Sequence, residues 1–144
     1  MAYATLESIL GKDQSELTAL KQDEFTTEKL GTLPYTAVDH KEYKVAKRGC
    51  MKMIKDGTGS MVPDLDDDQL MLEIIVAAVD KDGRSDFTFA NELLLKKLNV
   101  VTATAAVSQL LSPGEIFNLA IEIQGLSGFG AKAAKDLKDD VKNS

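Results

Sequence analysis

Few side chains in this sequence have the type and spacing that chemistry requires. His40 is the single histidine, so a Ser-His-Asp arrangement or an imidazole metal site would have to be built on it. It directly follows Asp39, an expected helix N-cap, and reads as a surface first-turn residue. Cys50 is the single cysteine, which excludes a disulfide within the chain and a multi-cysteine zinc site. A reactive thiol needs an exposed, electropositive setting. Lys47 and Arg48 lie near, but Cys50 falls on the expected apolar face of a helix and reads as a small core hydrophobe. Asp64, Asp66, Asp67 and Asp68 resemble a calcium loop only superficially. An EF-hand register starting at Asp64 puts Gln69 where glycine is required and Ile75 where the bidentate glutamate belongs. Asp80-Lys81-Asp82-Gly83 fails because its glycine comes too early. Gly57-Thr58-Gly59 lacks the third glycine of a dinucleotide motif and the Lys-Ser/Thr of a phosphate loop. Lys41, Lys44, Lys47, Arg48, Lys52 and Lys55 form a basic cluster, read as a solvated helix face tempered by Asp39 and Glu42. No catalytic residue, metal site or cofactor site is expected.

The totals agree with an ordinary soluble globular chain. Its 144 residues suffice for one domain with a core. Apolar residues make up 44% and charged residues 28%, which argues against wholesale disorder. The formal net charge of −6 disfavours nucleic acid as a partner, because phosphate binding depends on Lys and Arg. The opening MAYATLESILGKD has neither a basic n-region nor a long apolar stretch, so no signal peptide is expected. The longest apolar run, Ile74–Val79, is far short of the roughly 20 residues a membrane helix needs. The expected location is the cytoplasm, away from membranes.

The elements that must position any surface can be read from periodicity and caps. Residues 3–20 suggest short helical turns. Residues 24–38 are rich in strand formers around a turn at Leu30-Gly31-Thr32 and predict a β-hairpin, with Pro34 at a strand start or an edge. Asp39 and Glu42 have capping-box spacing. Tyr43, Ala46, Cys50, Met53 and Ile54 then recur at helical intervals, predicting a helix over Lys41–Lys55 stopped by Gly57. Gly57–Leu65 reads as a loop. Asp66 and Gln69 again have capping-box spacing, ahead of an apolar run from Leu70 to Val79. A helix buried on most sides is preferred there, with a buried strand as the alternative. A turn at Asp80–Gly83 leads to a helix over Thr88–Leu98 that stops near Asn99, and Thr102 caps a short helix carrying Ala106, Val107, Leu110 and Leu111.

The richest stretch is Leu110–Gly130, LLSPGEIFNLAIEIQGLSGFG. Ser112 and Glu115 form a capping box with Pro113 at the first helical position. Ile116, Leu119, Ala120 and Ile123 make the core-facing stripe. Phe117 and Ile121 widen it beyond the needs of a surface helix. They serve either deeper burial or a partner groove. Gly128 or Gly125 ends the helix, and Phe129 can fold back on it. The expected fold class is mainly α: one small helical domain over residues 1–130 with a β-hairpin near 24–38. A charged, flexible C-terminal tail over 131–144 completes the chain.

The second half, Leu70–Gly130, resembles the XkdN-like phage tail assembly chaperones. The resemblance rests on LMLEIIVAAVDKD, NELLLKKL and LLSPGEIFNLAIEIQGLSGF, with Leu111, Pro113, Gly114, Glu115, Gly128 and Phe129 in the places of a leucine-rich "L-x-P-G-E" helix start and an "x-G-F" end. It implies a predominantly helical, non-enzymatic protein. Such a protein binds the tape measure protein, keeps it soluble, helps recruit the major tail protein and leaves before the particle is complete. The implied location is the host cytoplasm. Partner-binding residues, if this stretch binds a client, are Phe117, Ile121 and Phe129, which helix grammar does not require. Self-association is a further expectation. The alternative role is a small structural or adaptor component of a phage particle.

Overall fold

The computed structural model describes residues 3–129. Two short helices, α1 (Leu6–Leu10) and α2 (Gln14–Thr18), lead into strands β1 (Gln22–Thr27) and β2 (Gly31–Thr36). Helix α3 (His40–Gly49) follows, then strands β3 (Met51–Lys55) and β4 (Met61–Leu65). The chain then builds α4 (Asp67–Asp80), α5 (Glu92–Leu98), α6 (Ala103–Leu110) and α7 (Pro113–Leu126). The strands form two separate antiparallel hairpins, β1–β2 and β3–β4. A helix-rich fold with small hairpins is therefore the architecture, as the patterning predicts. The expected C-terminal tail lies outside the described residues.

Helix α4 is the hub, packing against α3, α6, α7 and β2. Its buried residues are Leu70, Met71, Ile74, Ile75, Ala78 and Val79. That is one stripe repeating every three to four residues, which an α-helix presents to a single side. Asp66 starts the helix by accepting from the Gln69 backbone N–H at 3.0 Å. The reciprocal half of the expected box is absent, because the Asp66 N–H donates to the Cys50 carbonyl instead, leaving the Gln69 side-chain amide to donate to Glu73. The expectation that α4 is buried on most sides holds only for this stripe: Leu72, Val76 and Ala77 are half-exposed.

The first hairpin docks on this helical layer. Leu33 and Tyr35 point inward and are buried with α4 and α7 residues in one core. Its turn is Glu28–Leu30, two residues earlier than expected. Gly31 takes a left-handed φ of 77°, and Thr27 Oγ1 closes the turn by accepting from the Leu30 N–H and donating to the Gly31 carbonyl. A latch then holds the hairpin. Asp82, buried after α4, accepts from Thr36 Oγ1 at 3.0 Å and from the Arg84 guanidinium at 2.8 Å. Arg84 in turn donates to the Asp23 and Tyr35 carbonyls. The guanidinium holds the Asp82 carboxyl below the ordinary aspartate range. Asp80 departs the other way, because burial raises its pKa while a bond from the Phe89 N–H partly offsets the shift.

Two expectations fail between residues 50 and 65. Helix α3 ends at Gly49, not Lys55, and the expected loop is the turn and second strand of a hairpin. The Cys50 carbonyl accepts from the Asp66 N–H at 3.0 Å, closing the base of the hairpin where α4 begins. Asp56 Oδ1 organises its tip by accepting from Thr58 N, Thr58 Oγ1 and Ser60 N. Gly59 there takes a φ of 87° that glycine alone adopts freely. Helical spacing of Tyr43, Ala46, Cys50, Met53 and Ile54 was coincidental beyond Cys50. Cys50 itself is core, and burial pushes its thiol pKa up, as suits an inert side chain.

Candidate interaction surface

The final helix starts as its capping box dictates. Ser112 Oγ accepts from the Glu115 N–H at 3.2 Å, and Glu115 Oε1 accepts from the Ser112 N–H at 2.9 Å. The second oxygen of Glu115 accepts from the Glu28 N–H at 2.9 Å, tying the start of α7 to the turn of the first hairpin. These bonds lower the Glu115 pKa. Farther along, Tyr35 Oη approaches Glu122 Oε2 at 3.5 Å, and Ser127 Oγ accepts from the Val38 N–H at 2.9 Å. Helix α7 is thus fastened to the hairpin at both ends. It stops in a Schellman arrangement: Phe129 N–H to the Gln124 carbonyl, Gly128 N–H to the Gly125 carbonyl, and Gly128 at φ 96°. Of the two glycines considered, Gly128 is the stop.

Leu119, Ala120 and Ile123 are fully buried on α7. Phe117 and Ile121, one turn apart, are half-buried, and Phe117 packs against the core. Phe129, just beyond the end of α7, is half-buried. Its ring packs against Tyr43 of α3, with centroids 4.7 Å apart. It helps line a hollow of about 170 Å³ together with Val38, His40 and Ser127. The three expected partner-binding residues therefore belong to two places: Phe117 and Ile121 to the flank of α7, Phe129 to the α3 junction. His40 is exposed at the first turn of α3, where the capping box of Asp39 and Glu42 forms as expected.

Two apolar grooves flank α4, each against a different stretch of it. One, of about 460 Å³, lies between α3 and α4 and is floored by Val45, Ala46, Val76 and Ala77, with Lys41 and Glu73 at its edge. The other, of about 390 Å³, lies where α4 meets α6 and α7 and is lined by Met71, Leu72, Leu111 and Ile116, among others. Sequence reasoning assigned these residues to the core. The signal that could have found them is the surplus: Leu72, Val76 and Ala77 fall off the buried stripe of α4 and remain apolar. Asp66 is an N-cap, while Asp64, Asp67 and Asp68 are exposed. Among the described residues no three His, Cys, Asp or Glu side chains converge on a metal-sized site. Among the same residues no helix is long and apolar enough to cross a membrane.

What the arrangement offers is a rigid helical frame with apolar grooves beside exposed carboxylates and lysines, a surface suited to holding another polypeptide. No curated protein and no solved structure matches the chain. One family model, that of the phage XkdN-like tail assembly chaperone protein, matches residues 6–142, and the chain belongs to that family.

Proposed function

We propose that this protein binds the tape measure protein, keeps it soluble while the tail tube assembles around it, and acts without catalysing a reaction. The observation that carries this reading, beyond family membership, is the pair of apolar grooves flanking α4. A soluble helical client buries one apolar stripe. On α4 the first groove takes in Glu73 to Ala77 and the second Asp68 to Leu72, each about 7 Å of helix at 1.5 Å per residue. Each groove therefore accepts little more than one turn of a bound helix, and the two together offer separate footholds for one apolar stripe. Phe117 and Ile121 extend the same apolar character along α7. Phe129 acts by fixing the α3–α7 junction through its contact with Tyr43. The protein works in the host cytoplasm, leaves before the particle is complete, and helps bring the major tail protein to the tape measure.

Co-expression tests the reading directly. The soluble yield of the cognate tape measure protein should rise, and the two should co-purify. Val76→Asp and Ile121→Asp, both at half-exposed positions, should abolish that rescue while the chaperone keeps its circular dichroism spectrum. No rescue by the parent chain would sink the proposal. Mass spectrometry of purified virions checks the departure: recovery of the chain at tail-protein stoichiometry would favour a structural component instead.

A further inference from the structure

Two apolar surfaces of this chain lack cover among the described residues, and they carry opposite charge. Helices α1 and α2 contain no buried residue. Leu6 and Leu10 are each 72% exposed, with Ile9 and Leu17 also exposed. Over residues 3–20 three carboxylates, Glu7, Asp13 and Glu16, face a single cation, Lys12. The β3–β4 hairpin is the second surface. Its register places Met51, Met53 and Lys55 opposite Leu65, Pro63 and Met61, and residues directly opposite share a face. Leu65 meets the core at the base of the hairpin. Met53 at 58% and Met61 at 52% exposure stand clear of it. Residues 41–55 hold six cations against one carboxylate, Glu42, within a chain of net charge −6. Among the described residues none of those six cations makes an ion pair, whereas Glu42 is engaged by Lys81.

Neither surface holds itself together well. A five-residue helix is too short to persist alone in water, and a lone two-stranded hairpin is marginal. Each is ordered best by an apolar partner. Methionine side chains are flexible and polarisable, so they adapt to leucine and isoleucine side chains. We propose that the two surfaces cover each other between copies: the acidic, leucine-rich 3–20 segment of one molecule lies on the methionine face of β3–β4 of the next. The lysines and arginine that lead into the hairpin then face Glu7, Asp13 and Glu16. Donor and acceptor are different surfaces, so the contact is heterologous and propagates head to tail.

Sedimentation of the full chain without any tail protein tests this independently of client binding. The weight-average mass should rise with concentration to at least twice the 15.6 kDa of one chain. It should fall back to the single-chain mass near 1 M salt, where the screening length is only about 3 Å. A donor variant, Leu6→Lys with Leu10→Lys, and an acceptor variant, Met53→Asp with Met61→Asp, should each stay single. All four positions are exposed, so at concentrations where the parent is a single chain both variants should match its circular dichroism and melting behaviour. Each variant retains one intact surface. Mixing them should therefore give a one-to-one pair and nothing larger. A parent that stays monomeric, variants that assemble like the parent, or a mixture that does not pair would each overturn the proposal. So would a monomeric parent whose hairpin substitutions abolish capture of a tail protein, which would assign the hairpin to that partner.

Discussion

The two hairpins of this protein are nearly the same length and are built from similarly strand-prone residues, yet they have opposite relations to the core. In β1–β2, Leu33, Tyr35 and Thr36 are buried and Arg84 bridges to the carbonyls of Asp23 and Tyr35. In β3–β4, every residue of β3 is exposed and the strongest packing is of one strand on the other. Ladder hydrogen bonds are common to both. What differs is the apolar area removed from water, which supplies most of a hairpin's stability. The first hairpin is therefore part of the frame, and the second is a surface carried by the frame.

That contrast can be broken by experiment. The largest expected effect is Leu33→Ala, which removes a buried side chain and should cost about 3 kcal/mol in urea unfolding. Equal losses from Leu33→Ala and Met53→Ala would erase the distinction, because Met53→Ala should stay within about 0.5 kcal/mol. Next is Asp82→Ala. It strands Thr36 and Arg84 and should cost about 2 kcal/mol. Its sign with pH is fixed by the lowered folded pKa. The stabilisation is complete above the ordinary aspartate value of about 3.9 and is lost as pH falls through the depressed folded value. Asp80 opposes it: its raised folded pKa weakens the fold once that group ionises, and the penalty is relieved on acidification. Urea midpoints followed from neutral to acidic pH should fall at the acid end for the parent and fall less for Asp82→Ala.

Ser112→Ala should cost about 1 kcal/mol as a lost helix cap. Glu115→Ala should lower the melting temperature further, because that carboxylate holds both the cap and the Glu28 amide of the docked hairpin. If the two substitutions prove equal, the tie between α7 and β1–β2 contributes nothing. The smallest global effect belongs to Asp56→Ala. Amide exchange should quicken through residues 51–65, where Asp56 organises the tip, while the melting temperature stays put. A cooperative loss of the whole fold would show that the second hairpin belongs to the frame after all.

Most helix boundaries were legible where the signal is local; the start of α5 was not, because Asn91 and not Thr88 opens it, its side chain accepting from the Leu93 and Leu94 N–H groups. Asp39, Thr102 and Ser112 cap helices, Asn99 stops α5 in the left-handed region at φ 56°, and Gly128 ends α7. Each of these depends on a few consecutive residues and their own backbone groups. The second hairpin was not legible, because Tyr43, Ala46, Cys50, Met53 and Ile54 happen to repeat at helical intervals. The Asp56-Gly57 pair, a hairpin signal, was there to be weighed against them.

By itself, then, the sequence determined the caps, the stops, the first hairpin and the stripe that faces the core, since these follow from periodicity and from side chains satisfying nearby amides. Tertiary structure alone decided which apolar residues remained uncovered. Leu72, Val76 and Ile116 have the composition of core, and only the spacing of α3, α6 and α7 around α4 leaves them lining grooves. It decided equally that Phe129 lies on Tyr43 and that Glu115 reaches the first hairpin. Burial is a property of what packs opposite a residue, and that neighbour lies far away in the chain.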